Sequence, residues 1–137
     1  MVIAVLNDAN SRPARRLRKC KPAEIGISVI VLQELYYGAF KSQRKVHNVA
    51  LVDQLQFQVL EFDTEDARHA GELRALLASS GTPIDPYDVL IAGQAKARSL
   101  VLVTGNTREF DRVPGLRMED WTAEKTSDKP QQKRTTN

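Results

Sequence analysis

The chain has 137 residues, with 20 Lys and Arg against 17 Asp and Glu and a formal net charge of +3. At 42% hydrophobic and 27% charged it has a globular composition, not that of a disordered or collagen-like chain, and its length suits one domain with a true core. No apolar run approaches the roughly 18 residues that a membrane span needs, and a single cysteine, Cys20, excludes an intrachain disulfide.

The first six residues are too short for a secretory signal core and nothing basic precedes them, which leads us to expect a cytoplasmic protein. Asn10 and Ser11 followed by Pro13 read as a helix start, with Pro22 interrupting or ending a basic helix. Residues 24–29 form a short strand. From Ile30 the pattern turns helical, with Ile30, Leu32, Leu35, Tyr36 and Phe40 apolar and Gly38 near the end. Residues 46–55 carry a second helical pattern, and residues 57–62 alternate as a strand does.

Asp63 and Thr64 then cap a helix that runs to about Ser79. Gly81-Thr-Pro83 breaks it, and Pro86 opens another that continues to Ala97. Residues 100–104, Leu-Val-Leu-Val-Thr, are a β-branched run suited to a strand buried on both faces. Gly105-Asn106 turns the chain, and residues 116–121 offer a last strand. Beyond residue 121 no aliphatic side chain is larger than Ala, so the ordered domain is expected over 1–121 and a disordered polar tail over 122–137.

Strands alternating with helices imply a parallel sheet covered on both faces, an α/β fold. Chemistry in such sheets sits beyond the carboxyl ends of the strands, which places residues 28–34, Asp63 and residues 104–109 near one edge. Charge is uneven along the chain. Residues 1–22 carry net +5, residues 23–121 net −4 and residues 122–137 net +2. Basic ends around an acidic body suit a protein that handles a polyanion while holding a cation, although on charge alone Arg15 to Lys21 read first as a solvated helix face.

Glycine-rich phosphate loops are missing, as is a nucleophile elbow, and His47 and His69 stand alone on predicted helices. Cys20 lies in a basic stretch without a partner histidine. What remains is carboxylates. Glu34 interrupts an apolar face just after a strand, Asp88 opens an apolar helix, and Asn106 and Glu109 follow the buried strand. Singly, Asp88 reads as a helix-capping acid and Glu34 as a solvated position. Together at one sheet edge they would repel one another unless a divalent cation sat between them.

Several blocks of the sequence resemble VapC-type PIN-domain toxins. These are Ile27-Ser28 and Glu34-Leu-Tyr-Tyr-Gly38, the run from Gly81 through Asp85-Pro-Tyr-Asp88 to Ala92, Leu102-Val-Thr-Gly-Asn-Thr-Arg-Glu-Phe110, and Val113-Pro-Gly-Leu116. The resemblance covers residues 24–121 and implies a three-layer α/β/α sandwich with a parallel sheet. It also implies a Mg²⁺- or Mn²⁺-dependent endoribonuclease that cuts structured RNA, tRNA or rRNA, by a metal-activated water. A cognate VapB-type antitoxin and a homodimer belong to the same expectation. By position, Glu34 and Asp88 match metal-binding acids, and catalysis would involve Glu34, Asp88, Asn106 and Glu109. Asp85 matches less closely, and Tyr87 and Thr104 would flank the site. Arg15, Arg16, Arg108 and Arg112 would contact the RNA backbone.

One block departs from the family. Its members begin with a central strand ending in Leu-Asp-Thr-Asn, whose Asp binds metal, and this chain has no such tetrapeptide. Residues 1–6 resemble instead the helix that follows, so the expectation is a domain lacking its first central strand. In the alternative, residues 1–6 form that strand and Asp8 supplies the ligand. A missing ligand also supports a second reading, an inactive PIN-domain fragment that only binds antitoxin or RNA.

Overall fold

The computed structural model describes residues 2–4 and 24–120. Within them the chain runs β1 (Val2–Ala4), β2 (Ile25–Ser28), α1 (Val29–Lys41), α2 (Lys45–Asp53), β3 (Gln58–Leu60), α3 (Thr64–Ser79), α4 (Pro86–Ala97), β4 (Val101–Val103), α5 (Thr107–Phe110) and β5 (Met118–Glu119). The strands form one sheet in the order β3-β2-β1-β4-β5, and every pair is parallel. Successive residues of a strand face opposite sides. Ile3 and Ala4 are both fully buried, as are all four residues of β2, so both faces of the central strands are covered. This is the expected α/β sandwich.

The centre of the sheet corrects one expectation. The slot thought to lack a strand is filled by Val2–Ala4, with Ile3 paired to Gly26 on one side and Leu102 on the other. A short apolar run reads equally as helix or strand. Here β2 and β4 each present a backbone edge, and pairing both edges settles the run as a strand. The expected basic helix with Arg15 and Arg16, the alternative ligand Asp8 and the tail over 122–137 lie outside the described residues. A second difference is α5, a single turn where only a turn at Gly105-Asn106 was expected.

Local chemistry explains the helix boundaries. The Ser28 side chain accepts from the Ile30 N–H at 3.1 Å and starts α1, whose Val31, Leu35 and Ala39 face the core four residues apart. Asp63 and Asp66 form a reciprocal capping box at the start of α3, each accepting from the other's backbone N–H. Gly81 ends that helix at a φ of +72°, where the Thr82 N–H reaches back to the Leu77 carbonyl.

The packing of α3 against α4 is close and polar at one end. A Cβ on Gly93 would stand 2.5 Å from the Ala70 Cα, so the helices cross almost backbone to backbone. Beside that crossing, Asp66 is fully buried. It accepts from Arg98 Nε at 3.1 Å, Arg98 Nη2 at 2.8 Å, Gln94 Nε2 at 3.3 Å and the Asp63 N–H at 2.9 Å. Burial pushes the Asp66 carboxyl up, but the Arg98 hydrogen bonds outweigh it and hold the group below the usual carboxylate range. Gly93→Ala should therefore cost about 1–3 kcal/mol through forced separation of the helices. Arg98→Ala should cost about 3 kcal/mol by stranding a buried charge. Denaturant unfolding measures both, and a Gly93→Ala chain as stable as the parent would refute the crossing described here.

Candidate active site

The carboxyl edge of the sheet is built from three elements. From the β2 side, α1 carries Glu34 on the flank of its buried stripe, half-exposed. From α4 come Asp85 and Asp88. Asp85 is the N-cap, its Oδ1 accepting from the Tyr87 N–H at 2.9 Å and the Asp88 N–H at 3.4 Å, with Pro86 in the first turn. The capping role that the sequence offered to Asp88 thus belongs to Asp85, which leaves the Asp88 side chain free for other work. From β4 comes buried Thr104, whose Oγ1 accepts from the Asn106 N–H at 3.0 Å and shapes the turn into α5.

Glu109 ties these pieces together. Its Oε1 accepts from Asn106 Nδ2 at 2.9 Å and its Oε2 from the Asp85 N–H at 2.8 Å, and its carboxylate is hydrogen-bonded to Asp88. Arg112 Nη1 donates to the Pro83 carbonyl at 3.0 Å, so α5 and the turn after it hold the segment leading into α4 at two points. Glu34, Asp85, Asp88, Thr104 and Asn106 line an open cleft of about 200 Å³, floored by buried Phe110.

Electrostatics in the cleft favour a bound cation or a bound proton. The Asp88 carboxyl is pushed up to about 8, first by burial, then by its hydrogen bond to Glu109 and by the charges of Glu109, Asp85 and Glu34. Glu34 is raised by burial and by the charge of Asp85. Glu109 goes the other way: the Asp88 hydrogen bond, the Asp85 N–H, the Asn106 amide and the nearby Arg112 outweigh burial and keep it ionised. The pair therefore shares one proton, carried by Asp88. As placed, no three His, Cys, Asp or Glu side chains among the described residues converge tightly enough to hold a metal ion. The donor chemistry nevertheless fits one: every candidate ligand is a hard carboxylate oxygen, and a divalent charge would relieve the repulsion that raises Asp88.

Of the residues singled out in the sequence, the structure brings Glu34, Asp88 and Asn106 into one cleft, with Glu109 bonded to its rim. Arg108 is exposed on α5, and Arg112 is engaged with the Pro83 carbonyl. Asp63, placed at the same edge by strand order, caps α3 and stands 3.6 Å from Arg98, outside the cleft. His69 contacts the Glu65 carbonyl of its own helix. The buried Asp66–Gln94–Arg98 network was not foreseen. Its signal was the Gln94 and Arg98 spacing of four on one helix, aimed at a capping-box acid.

Known proteins resemble this chain in sequence and fold. Residues 1–116 match the PIN domain family. The tRNA(fMet)-specific endonuclease VapC of Salmonella typhimurium is 53% identical over 97 residues, 69% of this chain and 74% of that protein. Ribonuclease VapC1 of Haemophilus influenzae (strain R2866) is 30% identical over 125 residues, 89% of this chain and 93% of that protein. Among solved structures, DNA-bound VapBC from Salmonella typhimurium superposes with a TM-score of 0.79 at 41% identity, covering 88% of this chain and 98% of that one. VapBC2 from Rickettsia felis, bound to a promoter DNA fragment, gives 0.77 at 31% identity, covering 88% and 99%. The chain belongs to the PIN-domain family, among its VapC-type toxins.

The shared proton has a measurable consequence. Because Asp88 binds its proton more tightly when folded, at about 8 against an ordinary 3.8, stability should fall as pH rises through that window and level off above it. Asp88→Asn keeps a hydrogen-bond donor and removes the titration, so thermal unfolding of the variant should lose this decline. A decline of equal size in both proteins would place the titrating group elsewhere.

Proposed function

We propose that the chain is a divalent-metal-dependent endoribonuclease, the toxin of a toxin–antitoxin pair, acting in the cytoplasm on structured RNA. The observation that carries this reading is the carboxylate cleft, where Glu34, Asp85 and Asp88 face Asn106 and Glu109 across the carboxyl edge of the sheet. The name of the Salmonella relative supports tRNA as the first RNA to test, ahead of rRNA. The VapBC complexes among the structural relatives support a VapB-type antitoxin as partner, and the family resemblance supports a homodimer. No helix among the described residues is long and apolar enough to cross a membrane.

Glu34 and Asp88 are the residues that would hold Mg²⁺ or Mn²⁺. When bound, the ion would offset charge on the scissile phosphate and make water a better nucleophile at neutral pH. The chain's own groups do the rest. Asp85 fixes the first turn of α4 and so the direction of Asp88. Before an ion binds, Glu109, held by two donors, orients Asp88 and accepts the hydrogen bond of its proton, which the ion would displace. Asn106 offers a neutral amide at the cleft wall, able to hydrogen-bond a phosphate oxygen. Arg108, with Arg15 and Arg16 from the basic segment, would hold the backbone of the RNA, whereas Arg112 is engaged with the Pro83 carbonyl. The domain is proposed to span 1–121.

A specific observation keeps a second reading in view. The central strand β1 is Val-Ile-Ala and contributes no carboxylate, which favours an inactive module that only binds antitoxin or RNA. Incubation of the purified chain with tRNA and Mg²⁺ or Mn²⁺ separates the two. We expect cleavage that EDTA abolishes and that Asp88→Asn or Glu34→Gln reduces by on the order of 100-fold or more, the scale for losing a group that stabilises reacting charge. Antitoxin binding with no cleavage under any metal would establish the inactive module instead.

A further inference from the structure

The corner where α1 meets α2 is chemically unlike the rest of the domain. Residues 35–52 contain Lys41, Arg44 and Lys45 and no Asp or Glu, within a 23–121 body whose net charge is −4. All three cations are exposed. The side chains of Arg44 and Lys45 have no hydrogen-bond or ion-pair partner among the described residues, whereas Arg98, Arg112 and Arg117 are spent on internal acceptors. Just ahead of these cations in the chain are large aromatic surfaces: Tyr37 is 62% exposed and Phe40 55%. Lys41 Nζ sits 4.9 Å from the Tyr37 ring centre, so cation and ring already form one surface.

This corner is connected to the cleft by helix geometry. Glu34, Tyr37 and Lys41 are spaced three and four apart, which puts them along one stripe of α1. At about 1.5 Å per residue, the stripe carries from the cleft carboxylate to the Lys41 ammonium in about 10 Å of helix.

We infer that the α1–α2 corner is a substrate-binding extension of the cleft, where unpaired nucleotides flanking the scissile bond stack on Tyr37 and Phe40 while Lys41, Arg44 and Lys45 hold their phosphates. The inference rests on the ribonuclease reading above and deepens it. Charge complementarity selects the occupant. A polyanion entering an acidic cleft needs a cationic footing nearby, and exposed rings beside cations are the kind of surface that single-stranded nucleic acid uses. A protein partner covering the exposed Tyr37, Phe40 and Val46 would also have to desolvate Arg44 and Lys45, which have no partner among the described residues, unless it brought acids to them.

The test uses the full chain carrying Asp88→Asn, so that RNA is bound without being cut, and a labelled unpaired 12-nucleotide RNA compared with a trinucleotide. Tyr37→Ala with Phe40→Ala should weaken binding of the longer RNA by about tenfold or more, and of the trinucleotide far less. Tyr37→Phe in place of Tyr37→Ala should restore much of it, and thermal unfolding of the Ala variants at the parent's midpoint excludes a folding defect. Replacing Lys41, Arg44 and Lys45 together by Gln should reduce the slope of log affinity on log salt by about 2. A parent chain that cleaves RNA, alongside corner variants that bind the longer RNA as tightly as the parent, would overturn the inference and leave the ribonuclease reading standing. Unchanged RNA affinity with loss of self-association or of antitoxin binding would likewise overturn it, assigning the corner to a protein. A wild-type chain that neither binds nor cuts RNA would remove both readings.

Discussion

The close crossing of α3 and α4 is the constraint on which the site depends. Asp88 can reach the cleft only if the first turn of α4 is held against the sheet edge. Buried Val89 and the contacts from Glu109 and Arg112 fix the near end, and the far end of the helix fixes its direction. Gly93 lets α4 approach α3 to backbone distance at Ala70, and the Arg98–Asp66 pair locks rotation about that contact. Glycine within a helix costs about 1 kcal/mol relative to Ala. The cost is offset by dense packing along the rest of α4, where residues 91–95 are all buried.

A second constraint opposes the first. Carboxylates gathered at one edge destabilise the fold they decorate, as the upward displacement of both Asp88 and Glu34 records. The domain contains this in two ways. Asp85 spends its charge on two backbone N–H groups at a helix N-terminus, where an acid is favoured. Glu109 is satisfied by donors from two different segments, so its charge is stabilised while Asp88 keeps a proton. The result is a cluster whose charge is relieved by a proton and would, under the proposed function, be relieved by a cation, unlike a structural ion pair such as Asp66–Arg98.

Much of this was legible in the sequence, and where it was not the reason is physical. The β-branched run at residues 100–104, the Asp63 cap and Pro86 are local signals, and each marked its element within a residue or two. Glu34 and Asp88 stood out because acids on apolar faces are conspicuous. The first strand was misread because Val-Ile-Ala has no local preference strong enough to decide, and its pairing partners lie more than 20 residues away. Asp85 and Asp88 flank the same Pro-Tyr pair, and only side-chain geometry tells which one caps the helix. Arg112 reads as a surface cation in sequence, and its acceptor is a carbonyl 29 residues earlier that no periodicity predicts.

The sheet order also explains why the acids surround the cleft without closing on a point. Glu34 arrives from the β2 side and Asn106 from the β4 side, with β1 between them. Two strand spacings separate those flanks by about 10 Å. Side chains from helices must lean across that gap, which is wider than a fully protein-ligated ion tolerates. Mg²⁺, however, binds through one or two carboxylates, retains several waters and completes its octahedron with substrate phosphate oxygens. A donor set spread across the central strand therefore suits that ion better than one such as Zn²⁺, which asks for a closed tetrahedron of nitrogen and sulfur. The gap that keeps the carboxylates apart is also the space that an RNA phosphate would fill.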